Sequence, residues 1–421
     1  MSTPILSHAF SNGLVLVAEP LAWLESAAFT FLVPAGCVHD PPDRSGLSGF
    51  TCEMVLRGAG ERDSRRLILD LDNLGVERHE SVSAAHAAFS GATLAENLPA
   101  ALAIYADMLR QAHLPAEQLE AGRLVMFQEL RAVEDEPAQK VMIELRRRHY
   151  GDPWGRPAQG ERQALEDVTL DDIRAYFRQR YRPNGAILGV AGRFDWAGLK
   201  SGIAELLGDW EPGQSRPIVE QAPGPKYHHL PYQSTQTQIG IAYSSVPYRD
   251  PDYFQAWGAV GVLSGGSSAR LFTEVRERRG LCYSVHASYS SLRDRGGVFC
   301  YAGSSADRAQ ETVEVILEEL RRLAAGIEES ELGRLKARMK STLVMQQESS
   351  AARSTAIARD WYHLGRARTL DELEQLVDQL TPGSINAYLA EHPPRDFTVV
   401  TLGPHELKMP GEEAESAVGR R

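Results

Sequence analysis

The stretch DWEPGQSRPIVEQAPGPK, Asp209–Lys226, carries Pro212, Pro217, Pro223 and Pro225. Each proline lacks a backbone N–H and clashes with the preceding helical turn, so no helix crosses this segment. It reads as a linker, and it cuts the 421-residue chain almost in half. A chain of that length with 43% hydrophobic residues holds enough apolar side chain for two packed cores. The expected organisation is therefore a first domain over 1–208, a linker over 209–226 and a second domain over 227–421.

Both halves begin with strand-like alternation and continue into helical patterns, the mark of a duplicated architecture. In the first half, NGLVLVAEP, SAAFTFLVPAGC and HAAFSGATL read as strands, and SGLSGFTCEMVLRGAG, Ser45–Gly60, as a helix. NLPAALAIYADMLRQA and AEQLEAGRLVMFQELRAVED follow at helical spacing, and TLDDIRAYFRQRY opens on a Thr cap with acidic first-turn residues. In the second half, TQTQIGIAYSSV alternates as a strand, PDYFQAWGAVGVLSG as a helix, and LCYSVHASYSSL with GGVFCYAGSS as a hairpin. AQETVEVILEELRRLAAG and the long SELGRLKARMKSTLVMQQESSAARSTAIARDWYHLG then read as helices. The expected class is α+β, each half a sheet backed by helices.

The formal net charge of −11 comes from scattered carboxylates, which disfavours nucleic-acid or anionic-membrane binding. No apolar run reaches the roughly 20 residues of a membrane span, and the first residues lack a basic region before an apolar stretch, so a cytoplasmic protein is expected. Cys37, Cys52, Cys282 and Cys300 form no C-x-x-C pair and suit buried thiols. His79 and His86, seven apart in one extended stretch, fall on opposite sides of a sheet, and His228 and His229 suit a solvated or strand-edge position. GGSS, Gly265–Ser268, lacks the following G-K-[ST] of a phosphate loop and reads as a helix-ending turn.

Three stretches, taken in order, carry a resemblance: the SGLSGFTCEMVLRGAG helix over Ser45–Gly60, YGDPWGRPAQGERQALEDVTLDDIRAYFRQRYRPNGAILGVAG over Tyr150–Gly192, and LSGGSSARLFTEVRERRGLCYSV over Leu263–Val285. Together they resemble the pitrilysin or insulinase-type metallopeptidases, the inverzincin family that includes processing peptidases. The resemblance implies two homologous α/β-roll halves, each a mainly antiparallel sheet backed by helices.

In that family an H-x-x-E-H helix brings two histidines, one turn apart, to a single zinc, and the Glu activates the metal-bound water. Aligning Gly46, Leu47 and Met54 with the family's flanks places Gly49, Cys52 and Glu53 where His, Glu and His would stand. The family's third ligand, a downstream Glu, corresponds to Glu129, 80 residues beyond Gly49, while Gly122 replaces the Glu seven positions earlier. The motif is degenerate, so the resemblance implies no metal-bound catalytic centre in this chain. Nor does the local sequence supply a histidine that would make Cys52 a nucleophile.

The family's other half supplies an Arg and a Tyr that hold substrate near the scissile bond, and here Arg276 and Tyr283 stand in that frame. A guanidinium offers several donors to peptide carbonyls, and a phenol offers one to a developing oxyanion. The implied protein is a zinc-less subunit, inactive alone, that lends Arg276 and Tyr283 to an H-x-x-E-H partner holding zinc and hydrolysing unfolded peptides. The rivals are a structural core-type protein and a peptide-binding homodimer without peptidase activity.

Overall fold

The computed structural model describes residues 4–214 and 217–409. The chain forms two compact units: Met1–Ala132, Asp152–Gln221 and Ser341–Glu374 make one, and Val133–Gly151, Ala222–Lys340 and Gln375–Arg421 the other. Each is discontinuous in sequence. Between Asp209 and Lys226 the described residues form no helix or strand, as the prolines require. The near side of this segment is fixed by hydrogen bonds: Asn184 brackets Gly213 through both backbone groups, and Trp154 Nε1 donates to Glu220.

The first unit contains a six-stranded sheet in the order Leu6–Ala9, Val15–Pro20, Ile187–Gly192, Ser26–Val33, Ala87–Leu94, Glu77–Val82. Only Val15–Pro20 and Ile187–Gly192 pair in parallel. The second unit contains a five-stranded sheet, Tyr227–Pro231, Thr398–Gly403, Gln236–Ser245, Gly296–Ser305, Cys282–Ser291, and only its first pair is parallel. Read this way, the second sheet repeats the first from Val15–Pro20 onward. Each half pairs its opening and closing strands in parallel and lays the others beside them antiparallel; Leu6–Ala9 is an added edge. The protein is thus an α+β fold of two homologous halves, each a mainly antiparallel sheet backed by helices.

The closing strands ILGVAG and TVVTLG are buried at every residue, which explains their lack of alternation: both faces are covered. The helices that cover them cross the linker. Pro137–Tyr150, from the first half of the sequence, packs on Gln236–Ser245 and Thr398–Gly403, while Ser350–Leu364, from the second, packs on Ile187–Gly192 and Ser26–Val33. The helix backbone approaches its sheet closely at Gly189, where a Cβ would lie 2.3 Å from the Ser354 carbonyl oxygen. This second docking is notably polar: Arg353 Nε donates to Glu19 at 2.7 Å, both buried, and Thr30 bonds Ser354 and Thr355. Removing one partner of such a buried pair costs about 3–5 kcal/mol.

Two expectations differ from the fold. The long SELGR…YHLG pattern is two helices, Glu329–Gln347 and Ser350–Leu364, because Ser349 turns out of helical geometry and accepts the Ala352 N–H as a fresh N-cap. His79 and His86 do not share one strand: a turn closed by Ser83 and His86 separates Glu77–Val82 from Ala87–Leu94, and His86 is buried edge-on against Tyr362. His228 and His229 do lie on an edge strand, with His229 Nδ1 2.9 Å from Thr401 Oγ1. Among the described residues, no helix is long and apolar enough to cross a membrane.

Candidate functional site

The helix Leu47–Val55 carries Gly49, Cys52 and Glu53. Its start is fixed by Asp40, whose carboxylate accepts the N–H groups of Gly46 and Ser48 and the Ser48 hydroxyl. Burial pushes the Asp40 carboxyl up to about 7, against these bonds and the Arg156 charge. The Gly155–Gly160 loop closes on the same helix. A Cβ at Gly49 would lie 2.8 Å from the Ala158 carbonyl oxygen and 3.1 Å from Met126 Cε, and Gly160 packs equally close against Ser45 and Gly46. Where a histidine would project, protein already stands.

Cys52 is buried beside the Tyr181 hydroxyl, and desolvation, followed by the charges of Glu80 and Glu53, raises its thiol far above the ordinary range. It stays protonated, which removes it as base or nucleophile. The Glu53 carboxylate takes two hydrogen bonds from Arg57, at 2.6 and 3.1 Å, just past the end of the helix. Glu129 projects from the helix Leu119–Glu134; desolvation and then the charge of Glu53 hold its carboxyl above the usual range. Gly122 on that helix lets the two helices close: a Cβ there would lie 2.9 Å from Met54 Sδ and 3.0 Å from Phe50.

The structure adds Glu80, which sequence reasoning missed. Its strand Glu77–Val82 brings the carboxylate to this neighbourhood, where it accepts from Tyr105 and is raised by desolvation. No sequence signal marks it: the strand pairs locally, Glu80 opposite Phe89, and the carboxylate comes near Glu53 through packing of that strand against the Leu47–Val55 helix.

In the second unit, Arg276 lies on the π-helix Phe272–Arg278 and Tyr283 on the strand Cys282–Ser291. The guanidinium stacks on both Phe272 and Tyr283, 4.9 and 5.1 Å from the ring centroids. Tyr283 is the extra residue of a bulge: Cys282 pairs with Ser304 and Ser284 with Gly303, leaving Tyr283 unpaired. A bulge re-aims a side chain, and Tyr283 is 84% exposed. Phe272 is the contributor missed from sequence; its i, i+4 spacing to Arg276 was the available signal. Arg278 is spent on Glu274 at 2.6 Å.

Duplicated sheets, a buried helix at the metal position and an Arg–Tyr stack on the other half define a two-domain metallopeptidase-type scaffold. Residues 22–157 match the model of insulinase, peptidase family M16, and residues 167–339 that of the peptidase M16 inactive domain. The chain belongs to the M16, or insulinase-type, peptidase family. It is 25% identical over 406 residues to the uncharacterized zinc protease YmxG of Bacillus subtilis, covering 95% of this chain and 98% of that protein. The fold is shared with the peptidase M16 inactive domain from Pseudomonas fluorescens, at TM-score 0.86 and 20% identity over 97% of this chain and 99% of that one. It is also shared with a chain of Complex III2 from Candida albicans, at TM-score 0.81 and 18% identity over 95% and 96%.

The family's zinc does not fit the residues present at the motif. Gly49 offers no donor and no room for one, the Cys52 thiol holds its proton, and the Glu53 carboxylate is paired with Arg57. Carboxylates without histidine suit zinc poorly.

Proposed function

We propose that this chain is the zinc-less subunit of an M16-type peptidase, lending Arg276 and Tyr283 to an active site completed by a homologous H-x-x-E-H subunit that holds zinc. The observation that carries this reading is Tyr283, an exposed phenol turned outward by a bulge and stacked on a guanidinium. A ring this exposed adds little to the fold beyond its stack on Arg276, and its hydroxyl points where a substrate can meet it. Arg276 would hold the carbonyls of an unfolded peptide, and Tyr283 would donate to the oxyanion formed as water adds. The absence of a fitting metal set in the first unit supports the same division of labour.

The fold alone does not separate this reading from a core-type or peptide-binding homodimer. The test is co-expression with a similar-length chain bearing H-x-x-E-H, followed by peptidase assays on each chain and on the purified mixture. Activity confined to the mixture supports the proposal. A stable homodimer that neither pairs with nor stimulates such a chain overturns it.

A further inference from the structure

Three side chains in the second unit have no part in the proposed function. Asp252 immediately precedes the helix Tyr253–Ser264, where a carboxylate ordinarily accepts the N–H of the second or third helical residue; here it makes no capping bond. Glu391 is the last residue of the helix Pro382–Glu391, and His392 is its C-cap, its N–H donating to the Tyr388 carbonyl at 2.8 Å. The two helices pack so that the start of one meets the end of the other. One ligand atom from each of Asp252, Glu391 and His392 lies within 4.8 Å of the other two.

The His392 ring is not left to chance. It lies against the Tyr388 ring, 5.1 Å between centroids, and the Tyr388 hydroxyl is fixed 2.9 Å from Ser245 Oγ. Among the described residues, none of the three side chains is committed to a hydrogen bond or ion pair elsewhere. Two carboxylates facing one another repel until a cation stands between them, and the carbonyl end of the Pro382–Glu391 helix favours positive charge.

The geometry points to a divalent cation site formed by Asp252, Glu391 and His392, with donors suited to zinc. One imidazole nitrogen and two carboxylate oxygens are ordinary zinc ligands at about 2.0–2.2 Å, which puts neighbouring donors about 3.3 Å apart around a tetrahedral ion. Side-chain rotation closes the difference, because Glu391 and His392 are exposed and Asp252 is half-buried. Water takes the fourth position. Such an ion ties residue 252 to residues 391 and 392, clamping a helix near the end of the chain to the first helix of the second half. It is separate from the degenerate motif and is not required by the proposed peptidase role.

The test titrates the full chain with zinc chloride by calorimetry and follows the thermal midpoint in parallel. One equivalent should bind and raise the midpoint, since an ion bound only by the folded state stabilises it. His392→Ala and Asp252→Asn should each weaken binding at least about tenfold, the scale of losing support for a bound metal, and abolish the thermal shift. Glu391→Gln is a second, near-isosteric variant should either fail to fold. Glu129→Gln should bind as the unaltered chain does. Equal zinc affinity in His392→Ala, loss of the ion on Glu129→Gln, or no binding at about 1 mM zinc, where linkage still registers a Kd of that order, would each overturn the assignment.

Discussion

The Gly49–Cys52–Glu53 helix of the first unit and the Arg276–Tyr283 stack of the second treat their side chains in opposite ways. In the first, each position is absorbed by the fold: Gly49 admits the Ala158 carbonyl, Cys52 is buried, and Glu53 is held by Arg57. In the second, Tyr283 is 84% exposed and the half-buried Arg276 is stacked on two ring faces. Under the proposed function, the first set is free to be optimised for packing, whereas the second keeps an exposed side chain for use. The difference predicts which substitutions harm activity and which harm the fold.

The largest expected effect is on turnover. In the assembled complex, Tyr283→Phe should lower kcat by about 10²-fold, the scale of losing one oxyanion donor, with KM nearly unchanged. Because the side chain is exposed, the unfolding free energy should stay within about 0.5 kcal/mol. Arg276→Ala should act partly through KM, since it removes contacts made before and during reaction. Full activity from both variants in an intact heterodimer would erase the contrast between the two regions.

Gly49→Ala reverses the pattern. In an open helix the change stabilises by up to about 1 kcal/mol, but here the new Cβ meets a backbone oxygen at 2.8 Å. The expected outcome in denaturant melts is a loss of about 1–3 kcal/mol, typical of overpacking. A stabilised variant would show that the Gly155–Gly160 loop yields easily. Restoring a histidine at 49 requires that same loop to move, so rebuilding a zinc motif needs changes at Ala158 as well as at Cys52 and Glu53.

Much of this was readable from local sequence. Patterning located the main strands and helices, and the prolines marked a segment without helix or strand, because each depends on near neighbours. Sequence does not mark the end of Glu77–Val82, which is polar at most positions and runs on into the next strand, nor Thr398–Gly403, a short run whose role depends on pairing across the chain. The family resemblance named Arg276 and Tyr283 together, while their stack and the approach of Glu80 to Glu53 are visible only in the folded chain. The exchange of Pro137–Tyr150 and Ser350–Leu364 has no local mark, since an apolar helix face does not say which sheet it will cover.

The Leu47–Val55 helix also carries a pH signature. Asp40 caps it from a buried site, with a carboxyl raised to about 7 against an ordinary value of 3.8. The folded chain therefore keeps a proton that the unfolded chain has released across that window. Stability from this group is fullest below the unfolded value and falls as pH rises toward 7, by no more than about 1.4 kcal/mol per pH unit. Asp40→Asn should flatten that slope in denaturant melts run across the same range; an unchanged slope would place its origin in another group.

The smallest effect tests whether the three carboxylates near Cys52 still sense one another. Glu53 is bonded to Arg57 in an i, i+4 pair, the class worth about 0.3–0.5 kcal/mol, so Glu53→Gln should barely alter the melting of the chain. Its consequence lies elsewhere. Desolvation is the first cause of the raised carboxyls of Glu129 and Glu80, and the charge of Glu53 adds to both. Neutralising residue 53 removes that repulsion while leaving burial unchanged, so both groups should titrate lower than in the unaltered chain, yet stay above the ordinary range. Carboxyl-detected NMR titration reads each group separately. Because a raised acid binds its proton more tightly folded than unfolded, the variant should also lose less stability as pH rises through these two carboxyls. If neither group moves, Arg57 already neutralises Glu53, and the degenerate site is electrostatically as well as sterically closed.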